Sequence, residues 1–317
     1  MIHIIGGAGF VGTRLSEVLS SQGKAFKILD KALTGESYCD VTDLKSLTSL
    51  SPADVVINLA AEHRDDVMPR SLYDAVNVEG AKNVCQYCRT AGINTIIFTS
   101  SVAVYGFAPE GTDEGGKLQP FNDYGRTKME AEQVYQEWLA EAPHQRGLVI
   151  IRPTVIFGEG NRGNVYNLIR QIAGKRFIMI GPGKNRKSMA YIQNIAEFIS
   201  YMTDAKLGLK VYNYVDKPDY NMNKLVTLSR RRLFSKENVG LRLPAAVGKA
   251  IGQLFDLFSA LSRRTYPISS IRIKKFLETT SFDTSLAETG FIPRVSLEEG
   301  LDRFITNEFL IHSEKND

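Results

Sequence analysis

The sequence predicts an α/β protein in which a doubly wound parallel sheet is accompanied by a smaller C-terminal α/β lobe. Three observations predict it. Short apolar runs alternate with helical stretches of 15 to 35 residues, so successive strands lie parallel with helices on both faces. The first run breaks on a glycine turn that leads directly into a helical pattern. After Pro153 the alternation decays into glycine-rich and irregular segments.

Met1 to Ile5 is an apolar strand, interrupted by Gly6-Gly7-Ala8-Gly9. A helical pattern follows from Phe10 to Ser21, then Gly23, then a second strand from Ala25 to Leu29 that closes on Asp30. Further strands are expected at Val55-Val56-Ile57-Asn58-Leu59, Thr95-Ile96-Ile97-Phe98-Thr99 and Leu148-Val149-Ile150-Ile151. The turns Gly158 to Gly163 and Gly181-Pro182-Gly183 fall in the smaller lobe. With 317 residues, 43% of them hydrophobic, the chain can bury a sizeable core and is neither disordered nor fibrous.

The net charge of +4 is too balanced to require nucleic acid, and none is expected as a partner. That total hides an asymmetry. From Asn221 to Thr280 stand 12 Lys/Arg and 3 Asp/Glu, or +9, which leaves −5 for the rest of the chain. A basic block inside an acidic protein points to a local anionic partner, either phosphate or a membrane surface. Cys39, Cys85 and Cys88 are too few for a disulfide framework. Cys85-Gln-Tyr-Cys88 has redox spacing but sits in a helical pattern without a second pair, so buried, inert thiols are expected. His3, His63 and His144 have no clustered partners, and no metal site is expected. The N-terminus lacks the architecture of an export signal, which implies a cytoplasmic protein.

Gly6-x-x-Gly9-x-x-Gly12 sits between a strand and a helix, where such a motif binds a dinucleotide. The glycines permit a tight turn, close approach of backbone to a pyrophosphate, and close helix–strand packing, and the helix start at Phe10 and Val11 faces the phosphates. Asp30 ends the second strand, where it accepts from ribose hydroxyls and repels a 2′-phosphate. NAD is therefore favoured over NADP, with Lys31 as the one cautionary neighbour. On this reading residues 1–157 form a Rossmann-type NAD-binding domain with a return segment at about 188–216. Residues 158–187 and 217–317 form the substrate lobe, which includes a basic amphipathic segment, 241–275.

The 6-9-12 spacing resembles the short-chain dehydrogenase/reductase superfamily, in its extended sugar-nucleotide branch (the NAD-dependent epimerases and dehydratases). Other marks follow in order: Asp40-Val41, which in the family holds adenine, Leu59-Ala60-Ala61 under the nicotinamide ribose, and Asn77 of an N-x-x-G element. Ser100-Ser101-Val102-Ala103-Val104-Tyr105-Gly106 resembles the family's S-S-x-x-V-Y-G strand end, Tyr124-Gly125-Arg126-Thr127-Lys128 its Y-x-x-x-K element, and Arg152-Pro153 the end of its sixth strand. The resemblance implies that Ser101, Tyr124 and Lys128 are catalytic and that Tyr124, Lys128 and Pro153 also line the cofactor. Tyr and Lys four apart share one helical face. A nearby ammonium, together with a positive nicotinamide, is expected to draw the phenol towards neutral pH, so that Tyr124 takes a proton from a sugar hydroxyl as hydride leaves the same carbon.

Dehydratases of the family carry an Asp-Glu pair just after the catalytic Ser/Thr, and decarboxylating relatives keep the second acid. Here those positions are Val102 and Ala103, which cannot move a proton. What remains is hydride transfer at C4: a 4-epimerase or a 4-keto reductase. The resemblance also implies that Asn164 and Lys187 meet the substrate diphosphate, with Lys187 in the place of the usual Arg and Arg186 beside it. The resemblance further implies that Thr280, three before Asp283, stands where 4-epimerases of this branch gate the acetamido group; being small, it is expected to admit N-acetyl sugars.

Four stretches resemble the bacterial 4-epimerases of GlcNAc carried on undecaprenyl diphosphate: Ala60 to Val67, Phe98 to Gly106, Arg162 to Leu168 and Tyr212 to Asp219. This implies interconversion of GlcNAc- and GalNAc-diphospho-undecaprenol in surface polysaccharide synthesis, at the inner face of the cytoplasmic membrane. Three alternatives stay open: a UDP-sugar 4-epimerase, a UDP-4-keto-sugar reductase and a non-catalytic NAD-binding scaffold. The stretch Leu243 to Leu261 reads as a helix with one narrow polar stripe, Lys249, Gln253, Asp256 and Ser259. It is a poor membrane span but suits a helix lying on anionic lipid, with Phe255 and Phe258 inserted and Arg263, Arg264, Lys274 and Lys275 at the headgroups. A helix buried in the core or in a homodimer is the other reading of the same pattern.

Overall fold

A computed structural model describes residues 1–51, 53–64, 67–205, 207–262 and 270–311; of 257–262, 272 and 275 it describes the backbone alone. The chain runs β1 (Ile2–Ile5), α1 (Phe10–Ser21), β2 (Phe26–Leu29), α2 (Leu44–Thr48), β3 (Val55–Asn58), α3 (Ser71–Tyr73), α4 (Gly80–Ala91), β4 (Thr95–Thr99), α5 (Asp123–Ala140), β5 (Gly147–Pro153) and β6 (Val155–Phe157). It continues through α6 (Asn164–Ala173), β7 (Met179–Ile180), β8 (Arg186–Lys187), β9 (Met189–Tyr191), α7 (Ile192–Met202), β10 (Gly208–Tyr214), β11 (Tyr220–Asn221), α8 (Met222–Phe234), β12 (Arg242–Leu243), α9 (Ala245–Ser262), α10 (Ser270–Leu277) and α11 (Leu297–Ile305).

Two compact units result. The first comprises Met1–Ile156, Ala190–Val215 and Phe282–Val295. Its six-stranded sheet has the order β10-β5-β4-β3-β1-β2, and every neighbouring pair is parallel. The doubly wound α/β fold expected from the alternating runs is the one observed. Strands β1, β3 and β5 are buried along their whole length, which is why they read as continuous apolar runs. Leu29, Val56, Ile96, Phe98, Tyr135, Trp138, Leu148 and Ile150 belong to the main core, together with all three cysteines. Burial pushes the thiols of Cys39 and Cys85 up to about 12, which leaves them protonated and unreactive. Strand order reverses at β1, flanked by β2 and β3. A ligand crevice is expected at the carboxyl ends of these strands, and both the Gly6 turn and the Leu59-Ala60-Ala61 turn open there.

The second unit comprises Phe157–Met189, Asp216–Ser281 and Ser296–Asp317. Its strands are short pairs, β7 with β12 and β8 with β11. Tyr166 stacks on Phe309 and Phe304 meets both rings edge-on, and Arg231–Glu298 and Arg232–Asp302 pair α8 with α11. Phe282–Val295, which the sequence reading puts in the smaller lobe, clusters with the first unit. The reason lies in two buried asparagines. Asn213 Nδ2 donates to the Asp283 carbonyl at 2.9 Å, and Asn194 Oδ1 accepts from the Val295 N–H at 3.1 Å.

Helix α9 is seated by its small residues. A Cβ added at Gly248 would strike Ile180, and one at Gly252 would lie 2.9 Å from Ile273 of α10. Val247 and Leu254 consequently face out, 42% and 51% exposed. Phe255, expected to be inserted in lipid, is half-buried, because it lies near the glycine side of the helix. Asp256, read as part of a solvated stripe, accepts from the Ser270 N–H at 3.2 Å, at the start of α10. The side chains of Phe258 and Lys275, and residues Arg263, Arg264, Asp65 and Asp66, lie outside the described residues. Among the described residues no helix is long and apolar enough to cross a membrane.

Candidate active site

The turn after β1 is built around contacts that only glycine allows. Gly6 has φ +76°, and a Cβ there would stand 2.6 Å from the Ala60 amide nitrogen, so the β1 and β3 turns touch backbone to backbone. At Gly12 a Cβ would stand 2.5 Å from the Cα and carbonyl oxygen of Gly7. Helix α1 therefore begins flush against the turn. Gly9 is its N-cap and contributes no side chain, so the first-turn amides at Phe10 and Val11 point out of an uncapped helix start. Asp30 bonds this turn directly, accepting from the Ala8 N–H at 3.1 Å and from Ala32 at 2.9 Å. The cradle fits a dinucleotide: a glycine-only backbone, an open helix N-terminus and a carboxylate at its edge.

Asp40 receives the amide and hydroxyl of Thr42, while the Val41 carbonyl accepts from Asn83 at 2.8 Å. Asn77 uses its side chain on the protein: Oδ1 accepts from Glu62 N–H at 2.9 Å, and Nδ2 donates to the Glu62 carbonyl and to Thr127. It thereby ties the loop after Ala61 to α5. Pro153 is buried at the end of β5.

Tyr124, Lys128 and Glu132 follow one another at intervals of four along α5, and each meets one of the three residues Thr99–Ser101 where β4 ends. The Tyr124 phenol lies beside Ser101, whose hydroxyl accepts from the Ala103 N–H at 3.1 Å. Lys128, buried, donates to the Thr99 carbonyl at 2.7 Å, its ammonium 4.6 Å from the Phe98 ring centre. Glu132 accepts from the Ser100 hydroxyl. Asn122 starts the helix here by accepting from the Gly125 N–H at 2.9 Å. Burial pushes the Tyr124 phenol above its usual value, and the neighbouring Ser101 acts against that rise. Burial also brings the Lys128 amine down to about 7, opposed by the charge of Glu132. Val102 is half-buried and packs against the Val104, Tyr105 and Phe282 cluster, so no carboxylate stands at that position.

Ser101, Tyr124, Lys128 and the cofactor residues all lie in the first unit, and Asn164, Arg186, Lys187 and Thr280 in the second. Three of the latter are brought together. Thr280 bridges Lys187 in parallel, its N–H donating to the Arg186 carbonyl at 3.0 Å. The Lys187 ammonium is held by the Glu278 carbonyl at 2.7 Å, and burial lowers its pKa to about 8. Asn164 opens a separate helix, α6, and is exposed. Sequence reasoning missed buried Asp219, which accepts from Ser188, Ser281 and Lys217 beside this ladder, and it missed the Glu132–Arg152 pair.

Residues 2–214 match the sequence profile described as "NAD dependent epimerase/dehydratase family". The chain belongs to that family. It is 48% identical, over all of its own length and 97% of the other, to the N-acetyl-alpha-D-glucosaminyl-diphospho-ditrans,octacis-undecaprenol 4-epimerase of Escherichia coli O157:H7. The UDP-glucose 4-epimerase of Vibrio cholerae is 28% identical, with 94% of this chain and 92% of that one aligned. Among solved structures, the UDP-N-acetylglucosamine 4-epimerase of Bacillus cereus superposes with a TM-score of 0.75 at 15% identity, covering 97% of this chain and 99% of that one, which shows a shared fold. The family's cofactor is NAD, and the glycine cradle with Asp30 suits it.

Proposed function

We propose that this chain is an NAD-dependent 4-epimerase that interconverts GlcNAc and GalNAc on undecaprenyl diphosphate at the cytoplasmic face of the membrane. The observation that carries the chemistry is the placement of Tyr124 beside Ser101, with Lys128 one turn along the same helix and only Val102 and Ala103 at the neighbouring positions. The lipid-linked substrate is supported by the 48% identity to the E. coli enzyme of that activity.

Bound NAD⁺ supplies the acceptor for the C4 hydride and returns it. Everything else falls to the chain. Ser101 orients the sugar 4-hydroxyl, and Tyr124, beside Ser101, removes its proton. Lys128, titrating near neutrality, can carry the positive charge that favours tyrosinate. Once the 4-keto sugar has presented its other face, Tyr124 returns the proton to the oxygen. No side chain at Val102 or Ala103 can take a proton from C5, which keeps dehydration out of the cycle. Gly6, Gly9 and Gly12 would cradle the pyrophosphate, and Asp30 the adenine-side ribose. Arg186, Lys187 and Asn164 would meet the substrate diphosphate. The outward Val247 and Leu254 of α9, in the basic block of the sequence, would bring the enzyme to anionic lipid.

The test offers GlcNAc-diphospho-undecaprenol and UDP-GlcNAc in parallel, with NAD, and analyses the sugars released by mild acid. GalNAc from the lipid-linked substrate is the expected result. Conversion of UDP-GlcNAc alone would replace the substrate assignment, and stoichiometric formation of reduced cofactor at 340 nm would make the protein a reductase running in reverse.

A further inference from the structure

Behind the reacting residues lies a buried ion pair that the mechanism above does not use. Glu132 and Arg152 have side chains 1% and 5% exposed. Arg152 grips the carboxylate with both arms, Nε to Oε1 at 2.9 Å and a terminal nitrogen to Oε2 at 2.6 Å. Its other terminal nitrogen donates to the Tyr105 hydroxyl at 2.6 Å, which donates in turn to Asn213 Oδ1 at 2.8 Å. Glu132 Oε1 also accepts from Ser100. The carboxylate is thus fixed from β5, from the end of β4 and through Tyr105, while it rides on the helix that carries Tyr124 and Lys128.

We infer that Glu132, clamped by Arg152, is a positioning residue that holds Ser101, Tyr124 and Lys128 in working register. The inference rests on the reading that these three perform the chemistry. Its geometry is a set of three contacts between α5 and the residues Thr99–Ser101: the Lys128 bond to the Thr99 carbonyl, the Glu132 bond from Ser100, and Tyr124 beside Ser101. Two of them involve reacting groups; that of Glu132 is the one anchored to the rest of the sheet. Rotation or sliding of α5 would break the Ser100 bond and disturb the bidentate Arg152 pair together with the Tyr124–Ser101 contact. Glu132 has a second effect through charge. Around the Lys128 nitrogen stand the Thr99 carbonyl and Phe98 ring from β4 and the Glu132 charge from α5; Arg152 grips Glu132, and Tyr105 accepts from Arg152. The Glu132 carboxylate is the charge that favours the ammonium against burial.

Glu132→Gln separates shape from charge, since the amide oxygen can still accept from Ser100. The expected result is a fall in kcat of roughly 10–100-fold with KM little changed, and an alkaline limb of the kcat profile moved down by about one pH unit. The limb moves down because Lys128 loses its proton at lower pH once the carboxylate charge is gone. Glu132→Asp keeps the charge and should restore the position of the limb, with kcat between those of the Gln variant and wild type. Breaking a buried ion pair can unfold a protein, so Ser100→Ala gives a second test that leaves the pair intact. It should lower kcat about fivefold with the limb unmoved and with the NAD content and thermal midpoint of wild type. A folded Glu132→Gln enzyme with the wild-type limb and kcat would overturn the inference, as would Ser100→Ala at full kcat. Tyr124→Phe run alongside keeps the two readings apart. If it is inactive while both of these variants are normal, the positioning role alone fails; if it is active, the reading of the site fails.

Discussion

Replacing Gly12 by alanine tests whether the close approach of α1 to the β1 turn is what makes the cofactor cradle. The added methyl would lie 2.5 Å from the Cα and oxygen of Gly7 and 2.6 Å from its carbonyl carbon, where ordinary contact begins at 3.4 Å. Something must move by about 1 Å. Gly7 is the less able to move, because its N–H and that of Gly6 both donate to the Leu29 carbonyl, at 3.1 and 2.9 Å. The start of α1 therefore shifts, against the resistance of Leu15, Val18 and Leu19 packed behind it. Overpacking of this kind costs about 1–3 kcal/mol, which in a protein of this size lowers the thermal midpoint by a few degrees. The larger effect falls on the cofactor. Drawing the first-turn amides away from a pyrophosphate loses charge-assisted hydrogen bonds of about 1.5–3 kcal/mol each, or roughly 10–100-fold in affinity per bond. The assay measures NAD in the purified protein by acid extraction, beside the melting curve. Wild-type NAD content with an unchanged midpoint would refute the reasoning.

Tyr124→Phe should lower turnover by roughly 10²–10⁴-fold while NAD stays bound; its midpoint should hardly change, because Ser101 keeps its bond from the Ala103 N–H. Stability should fall with acid through His3, buried in β1 with Nδ1 on the Tyr87 hydroxyl and its pKa brought down to about 4, chiefly by burial. The unfolded chain takes up that proton near the ordinary 6.5, so the contribution is complete above that pH and is lost between 6.5 and 4. That is at most about 3 kcal/mol in urea unfolding, and His3→Gln should flatten this part of the curve. Thr280→Tyr should depress GlcNAc epimerisation about tenfold or more by steric exclusion without altering the midpoint, since the pairing of Thr280 with Arg186 and Ser188 is all backbone; full activity would remove Thr280 from the sugar pocket. Wild type should co-sediment with anionic vesicles at low salt, and Val247→Asp/Leu254→Asp should not, each large apolar side chain contributing up to about 1.5–3 kcal/mol when fully transferred. A wild type that stays in the supernatant would return α9 to a core or dimer role.

The parts of the site legible in the sequence are those whose partners lie close along the chain. The glycine turn needs positions 6, 9 and 12 of one strand–helix junction, and Tyr124 and Lys128 are one helical turn apart. Asp30 is readable because a parallel β1–β2 pair carries the end of the second strand to the first turn, where Ala8 meets it. Glu132 and Arg152 are 20 residues apart on different elements, and Asn213 and Glu114 are 99 apart, so no spacing rule connects them. A sequence signal for Glu132 did exist. It continues the Tyr124–Lys128 face by one more turn, and a carboxylate on a face that packs against a sheet must find a cation or a donor there.

In helix α9 the periodicity is legible in the sequence and the facing only in part: Val247 and Leu254 are exposed, and Phe255 is half-buried. The pattern of apolar residues is broad enough that nearly any side could be the seat, and a large aromatic residue such as Phe255 is the natural choice for an outward one. Packing distance decides the question differently. A helix comes closest to a neighbour where its side chains are smallest, and Gly248 and Gly252, four apart, mark one line along α9 where only hydrogen fits against Ile180 and α10. Large residues beside that line are then partly covered, as Phe255 is, and the residues facing away from it, Val247 and Leu254, are left to meet whatever lies outside. The same logic operates at Gly12 in α1, where a glycine again marks the contact and the neighbouring amides become the surface offered to a ligand.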